Sequence, residues 1–217
     1  MLIDFRTLFP KYNIKPKGVL HVGANRGEEA EVYLELGVSR QIWIEANPNL
    51  MPELKQNIFT NSKARAFNFA AGDCNKNVTL HISNNAGQSS SILPLGSHKT
   101  THPDVDFIAD VDVPMFRIDQ FFRDINSDPK YDISNIDFLN MDIQGAELMA
   151  LKGMGELLHQ FKWAYIEVNK DEVYLGCGLI EDIDFYLSSF GFQRVELFNN
   201  GGFFDRLKWS DALYVKS

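Results

Sequence analysis

The chain of 217 residues has little cysteine, no surplus of positive charge and no long apolar run. Its two cysteines, Cys74 and Cys177, lie far apart, and neither has a second cysteine nearby. A disulfide framework and a zinc knuckle are thereby excluded, and free thiols suit a reducing compartment. Lys and Arg number 21 against 29 Asp and Glu, for a formal charge of −8. A nonspecific hold on nucleic acid or on an anionic membrane needs clustered cations, so a small or neutral partner is expected, with no nucleic acid and no membrane. No segment approaches the roughly 20 apolar residues of a membrane-spanning helix. Asp4 and Arg6 interrupt the N-terminal apolar cluster, where a signal peptide would run unbroken. A cytoplasmic protein is the expectation. Internal repeats and low-complexity tracts are also missing, so residues 1–217 read as one domain with an N-terminal extension over 1–17.

What is present supports a large core: 45% hydrophobic residues, with 17 Phe, 7 Tyr and 3 Trp. From Gly18 onward, short apolar runs alternate with helical patterns, the signature of βαβ units and a mostly parallel sheet. "GVLHV" reads as the first strand. The helix after it places Ala30, Tyr33, Leu34 and Gly37 on one face, with Gly37 as its stop. "QIWIEA" is a second strand, and "NPNLMPELKQNI" a helix with Asn47 as N-cap and Pro48 in first place. "ARAFNFAAGD" and "NVTLHIS" give further strands. A polar stretch over 83–113 is too long for a mere connection and reads as a lid or substrate loop. Beyond it come a short strand and helical turn in "VPMFRIDQFFRD", the strand "IDFLNMD" with the helix "GAELMALKGM", and the strand "KWAYIEVN". A helix with Ile180, Ile183, Leu187 and Phe190 on one face stops at Gly191. "FQRVELF" and "DALYVKS" flank the turn signal Asn200-Gly201 and are expected to pair antiparallel.

A strand that ends in glycines before a helix brings backbone close to a ligand without an intervening side chain. Gly23 and Gly27 fit that role, although Asn25 stands where a dinucleotide fingerprint has its second glycine. Glu45, at the end of the second strand and 22 residues after Gly23, is placed to accept bonds from both hydroxyls of a ribose. The pair suits any adenosine-containing cofactor, and favours S-adenosylmethionine over NAD. Asp142 and Glu167 end two successive strands at the edge where open α/β sheets bind ligands, and are the candidates for contacting an acceptor and taking its proton, Asp142 first. Asp142 can equally cap the helix that follows, and Glu147 lies one turn further on.

"VGANRGEE", "NMDIQGAELMALKGM" and "WSDALYV" together resemble the FkbM family of S-adenosylmethionine-dependent methyltransferases. That resemblance implies a seven-stranded class I (Rossmann-like) methyltransferase sheet with helices on both faces and an antiparallel last strand. It puts Gly23, Asn25 and Gly27 around the methionine part of the cofactor, Glu45 on its ribose, and Asp73 at the adenine edge, where a simple turn-forming role is the alternative. It also implies methyl transfer to a hydroxyl of a small molecule, a sugar or glycosylated metabolite. His21 departs from the family, which usually has an acid there, and reads as a neutral, hydrogen-bonded histidine in a buried strand. Met141, where many relatives carry Lys, is a second departure. An NAD(P)-dependent oxidoreductase and a noncatalytic binding domain of the same fold are the other readings.

Ser89, Ser90 and Ser91 offer hydroxyls to a ligand or form a plain polar loop. His98 and His102 are four apart but sit in a Thr- and Pro-containing stretch, so no metal is expected. Phe203, Phe204 and Trp209 are expected to complete the core, or to form an aromatic platform beneath a sugar ring.

Overall fold

The first strand, β1 (Gly18–Val22), is buried along its whole length, as the central strand of a parallel sheet must be. The computed structural model describes residues 3–125, 128, 131–198 and 202–216. Beside β1 lie β2 (Arg40–Glu45) and then β3 (Ala64–Asn68), both parallel. On its other side come β7 (Phe138–Met141) and β8 (Trp163–Asn169), again parallel. The last strand in the chain, β10 (Trp209–Lys216), runs antiparallel between β8 and β9 (Phe192–Leu197). The seven-stranded order is therefore β3-β2-β1-β7-β8-β10-β9, with a strand-order reversal at β1. Three further strands, β4 (Ala70–Ala71), β5 (Lys76–Ser83) and β6 (Phe107–Phe116), form a separate sheet in the order β4-β6-β5.

Alternation along the strands divides the apolar residues between two faces. Leu20, Val22, Ile42, Ile44, Leu139 and Met141 face α5 (Ile118–Ile125), α6 (Glu147–Met154) and α7 (Ile180–Ser188). Val19, Trp43, Phe138, Tyr165 and Leu213 face α1 (Phe5–Lys11), α2 (Ala30–Glu35) and α3 (Met51–Asn57). The N-terminal residues thus belong to the fold: Phe5 packs edge-on against Phe138 and Tyr165 and stacks on Tyr33. Among the described residues no helix is long and apolar enough to cross a membrane.

Several elements differ from their sequence expectation. The helix expected from Asn47 begins at Met51, because the Asn47 side chain accepts from Asn49 N–H and closes a turn first, leaving Pro52 in the first helical turn. Leu34 turns toward solvent while Ala30 and Tyr33 are buried. "ARAFNFAAGD" divides, since the chain leaves the main sheet after Asn68 and joins β6 at Ala70–Ala71. The polar stretch is shorter than 83–113, because β6 starts at Phe107 and pairs antiparallel with β5. Its Asp110 and Asp112 alternate with Ala109, Val111 and Val113, the pattern of a strand with one wet face. Asn200 and Gly201 lie outside the described residues; a short helix, α8 (Phe203–Leu207), precedes β10.

Candidate active site

The C-terminal ends of β2, β1, β7 and β8 open onto one cavity of about 540 Å³. Neighbouring strands stand about 4.8 Å apart, so Glu45 on β2 and Glu167 on β8 are separated by three steps, roughly 14 Å. That span orders the cavity into two halves.

The first half is built on the glycine loop. Gly23 has φ +85°, and a Cβ there would sit 1.7 Å from the Asp142 carbonyl oxygen, so the loop passes β7 at a distance that glycine permits. Its N–H groups are already engaged: Gly23 and Ala24 donate to the Ile44 carbonyl and Asn25 donates to Glu45 Oε2 at 2.7 Å. Gly27 does not line the cavity; it has φ +76° and its open side lies against Leu54, where it lets the loop pack on α3. Glu45 accepts from Asn47 N–H through Oε1 at 2.6 Å, which leaves each carboxylate oxygen with one lone pair to offer. Burial pushes Glu45 up to about 7, against the pull of these backbone bonds.

Beyond Glu45 the wall is Phe69, Ala70 and Ala71, with Ile44 and Leu50, a flat apolar slot. Asp73, expected at this edge, is exposed and outside the cavity. Gly72 packs against Met115 and turns the chain away, and the Asp73 carbonyl accepts from Arg117. His21 is 3% exposed and stacks on Trp43 at 4.7 Å. Tyr33 and the Asn140 amide approach its ring nitrogens at 3.2 to 3.3 Å. Burial pushes it down to about 3, so it is neutral.

In the second half Gln144, at φ +57°, connects the acids. Its Nε2 donates to Asp142 Oδ1 at 2.5 Å and to Glu167 Oε2 at 3.1 Å, and its Oε1 accepts from the Tyr174 hydroxyl at 2.6 Å. Oxygens of Asp142, Glu147 and Glu167 lie within 4.8 Å of one another. Glu147 is fully buried and accepts from the N–H groups of Ile143 and Gly145, so it serves the start of α6. The capping role considered for Asp142 thus falls to Glu147, and Asp142 and Glu167 are the two acids of the trio that face the cavity. Burial, then the charges of Asp142 and Glu147, hold Glu167 well above the usual carboxylate range. Burial pushes Glu147 up to about 7.

The segment between β5 and β6 closes this half from above. Ser91 donates to the Gln144 carbonyl at 2.7 Å, and Ser89 and Ser90 also line the cavity. His98 and His102, on α4 (His98–Thr101) and its C-cap, lie with their rings tilted at 4.8 Å between centroids and line the same cavity. Gly96 and Ser97 N–H donate to the Val173 and Glu172 carbonyls, which fixes α4 to the loop after β8. Trp209 lines the cavity while Phe204 joins the core; the Phe203 side chain lies outside the described residues. Gln144, Tyr174, Glu29 and the histidines as cavity groups were not singled out from the sequence. The Asp-x-Gln-Gly spacing was the available signal for Gln144; Tyr174 had none.

Sheet order, reversed last strand and strand-end cavity define a class I S-adenosylmethionine-dependent methyltransferase fold. Residues 21–194 match the methyltransferase FkbM domain family, and the chain belongs to that family. It is 27% identical over 165 residues, 73% of this chain, to the 2-O-methyltransferase NoeI of Sinorhizobium fredii (strain NBRC 101917 / NGR234). The matched part spans 65% of that relative's length. In fold it resembles magnesium protoporphyrin IX methyltransferase from Synechocystis PCC 6803, solved with bound SAH (TM-score 0.52, 10% identity, covering 100% of this chain and 82% of that one). It also resembles the ribosomal protein L11 methylase of Lactobacillus delbrueckii subsp. bulgaricus (TM-score 0.50, 10% identity, 98% and 76% covered). S-adenosylmethionine is the cofactor, and the nicotinamide alternative gives way. The cavity fits this cation: among the described residues its lining holds neither Lys nor Arg, and it includes the carboxyl groups of Glu28, Glu29, Glu45, Asp142 and Glu167.

Proposed function

We propose that the chain transfers a methyl group from S-adenosylmethionine to a hydroxyl of a small, sugar-like molecule. The observation that carries this reading is the continuity of one cavity from Glu45 to Asp142 and Glu167. The cofactor supplies an electrophilic methyl group on a sulfonium. Glu45 would hold the ribose hydroxyls with its unused lone pairs, Phe69 to Ala71 would take the adenine, and Gly23 and Asn25 the methionine part. Asp142, anchored by Gln144, orients the acceptor hydroxyl and takes its proton as the oxygen–methyl bond forms and the sulfur–methyl bond breaks. Glu167, which burial and the charges of Asp142 and Glu147 hold above the usual carboxylate range, contacts a second acceptor oxygen. The segment over 84–106 acts as the lid, with Ser89, Ser91 and the two histidines above the acceptor. Transfer to oxygen is supported by the activity in the relative's name, 2-O-methylation. A polar wall rich in hydroxyl, amide and imidazole groups supports a sugar-like acceptor.

Calorimetric titration with S-adenosylhomocysteine and, separately, with NADH tests the reading. Binding of the former alone, weakened roughly tenfold or more by Glu45→Ala, is expected, as for loss of a hydrogen-bonding charged group. Binding of NADH alone overturns it.

A further inference from the structure

His21 lies near the end of β1 and lines the cavity beside the glycine loop, where the proposed function puts the cofactor's amino-acid part. As a neutral imidazole already in contact with Tyr33 and Asn140, it brings no negative charge to a cation. It is buried and neutral, and its ring is stacked on Trp43 and in hydrogen-bond contact with Tyr33 and Asn140. An ammonium group brought into this cavity needs an anionic or carbonyl acceptor. The group next to His21 is Glu29, whose Oε2 lies 3.9 Å from His21 Nδ1 at the start of α2. Glu29 lines the cavity with its side chain 21% exposed. Its neighbour Glu28 also lines the cavity, but it is exposed and accepts from Arg26 N–H, which turns it back onto the loop.

We propose that Glu29 is the counter-charge of the cofactor's α-ammonium, supplying from the N-cap of α2 the charge that the end of β1 lacks. This rests on S-adenosylmethionine as cofactor and specifies how this chain holds its amino end.

The groups around Glu29 agree with the assignment. From its own turn Glu28, and from the end of β7 Asp142, add negative charge. From α2 itself Tyr33 is un-ionised, and from β1 His21 is neutral. From α1, Asp4 and Arg6 line a smaller cavity that shares Glu28 and Glu29, and the Arg6 guanidinium is paired with Glu35 at 2.7 Å and with Asp4 at 3.4 Å. Burial pushes Glu29 up to about 7. Binding an ammonium favours the ionised carboxylate, so the cofactor displaces a proton from Glu29 below that value. Affinity for a ligand that carries the ammonium therefore rises from pH 6 to pH 8.

The test compares S-adenosylhomocysteine with 5′-methylthioadenosine, which keeps the nucleoside and lacks the amino-acid end. Both are titrated calorimetrically into the wild type and Glu29→Gln at pH 6 and pH 8, with melting temperatures to confirm folding. We expect Glu29→Gln to weaken S-adenosylhomocysteine roughly tenfold or more at pH 8. It should flatten the extra pH dependence of that ligand and leave 5′-methylthioadenosine unchanged, and Glu29→Asp should recover part of the loss. Equal weakening of both ligands would show that Glu29 shapes the loop and would overturn the proposal. So would a variant that binds both like the wild type. A wild type that binds neither ligand would remove the cofactor assignment and this proposal with it.

Discussion

Asp142 receives a hydrogen bond from Gln144 and lies in a crowd of three carboxylates, so its replacement by Asn separates position from charge. Asparagine keeps an oxygen for the Gln144 amide and loses the capacity to take a proton at neutral pH. Asp142→Asn is expected to bind S-adenosylhomocysteine as the wild type does and to transfer labelled methyl to hydroxyl-bearing sugars about a hundredfold more slowly, the usual size of a lost general base. Glu167→Gln should cost much less, since the amide keeps both a donor and an acceptor for the second acceptor oxygen. Equal turnover in Asp142→Asn and the wild type would remove Asp142 from proton transfer. At this scale Gly23, Glu45 and His21 were legible in the sequence, because a glycine after a strand, an acid at a strand end and a lone polar residue in an apolar run each have a local reason. Glu29 was not, because its meaning depends on His21 being neutral. Asp73 misled because the departure of the chain at Gly72 depends on Met115, a residue of a distant strand.

Among the elements, α6 is held by close backbone contact. A Cβ at Gly153 would lie 1.8 Å from the Gly72 carbonyl oxygen, so the helix rests on the β4 turn by backbone contact. Alanine would gain about 1 kcal/mol of helix propensity there, but the contact atom is backbone and cannot swing aside. Gly153→Ala is expected to destabilise by more than about 2 kcal/mol, as overpacking does, whereas Gly37→Ala, with open space but φ +82°, should cost about 1 kcal/mol. Urea midpoints rank the two, and the reverse order would contradict the packing. From Gly18 onward the main alternation of strands and helices followed from hydrophobic period, whereas α1, α4 and α8 did not. The start of α3 and the β5–β6 hairpin did not. The side-chain bond of Asn47 competes with helix entry, and Asp residues on the wet face of β6 imitate a loop.

Across the whole molecule the cavity gathers protons. Glu29, Glu45 and Glu147 are pushed up from 4.5 to about 7, and Glu167 is raised as well, each chiefly by burial. An acid of this kind binds a proton more tightly when folded, so its contribution to stability falls as pH rises from 4.5 to 7. His21 and His98, pushed down by burial from 6.5 to about 3 and about 4, work in the opposite sense and lower stability as pH falls below 6.5. Four acids outweigh two histidines, and above pH 6.5 the acids act alone. The melting temperature of the cofactor-free protein should therefore drop between pH 5 and pH 7. A melting temperature that rises over that window would mean that these carboxylates are ionised in the folded state.

The sequence by itself determined the main run of alternating strands and helices, the glycine loop, the acid at the end of β2 and the family, since each rests on residues close together in the chain. The tertiary structure decided which charges meet. Asp142 with Glu167 and Tyr174, and the histidines of α4 with the loop after β8, come together because parallel strands deliver distant residues to one edge. Whether each of them is charged follows from how completely the fold removes it from water, a property of the packed molecule that local spacing does not carry.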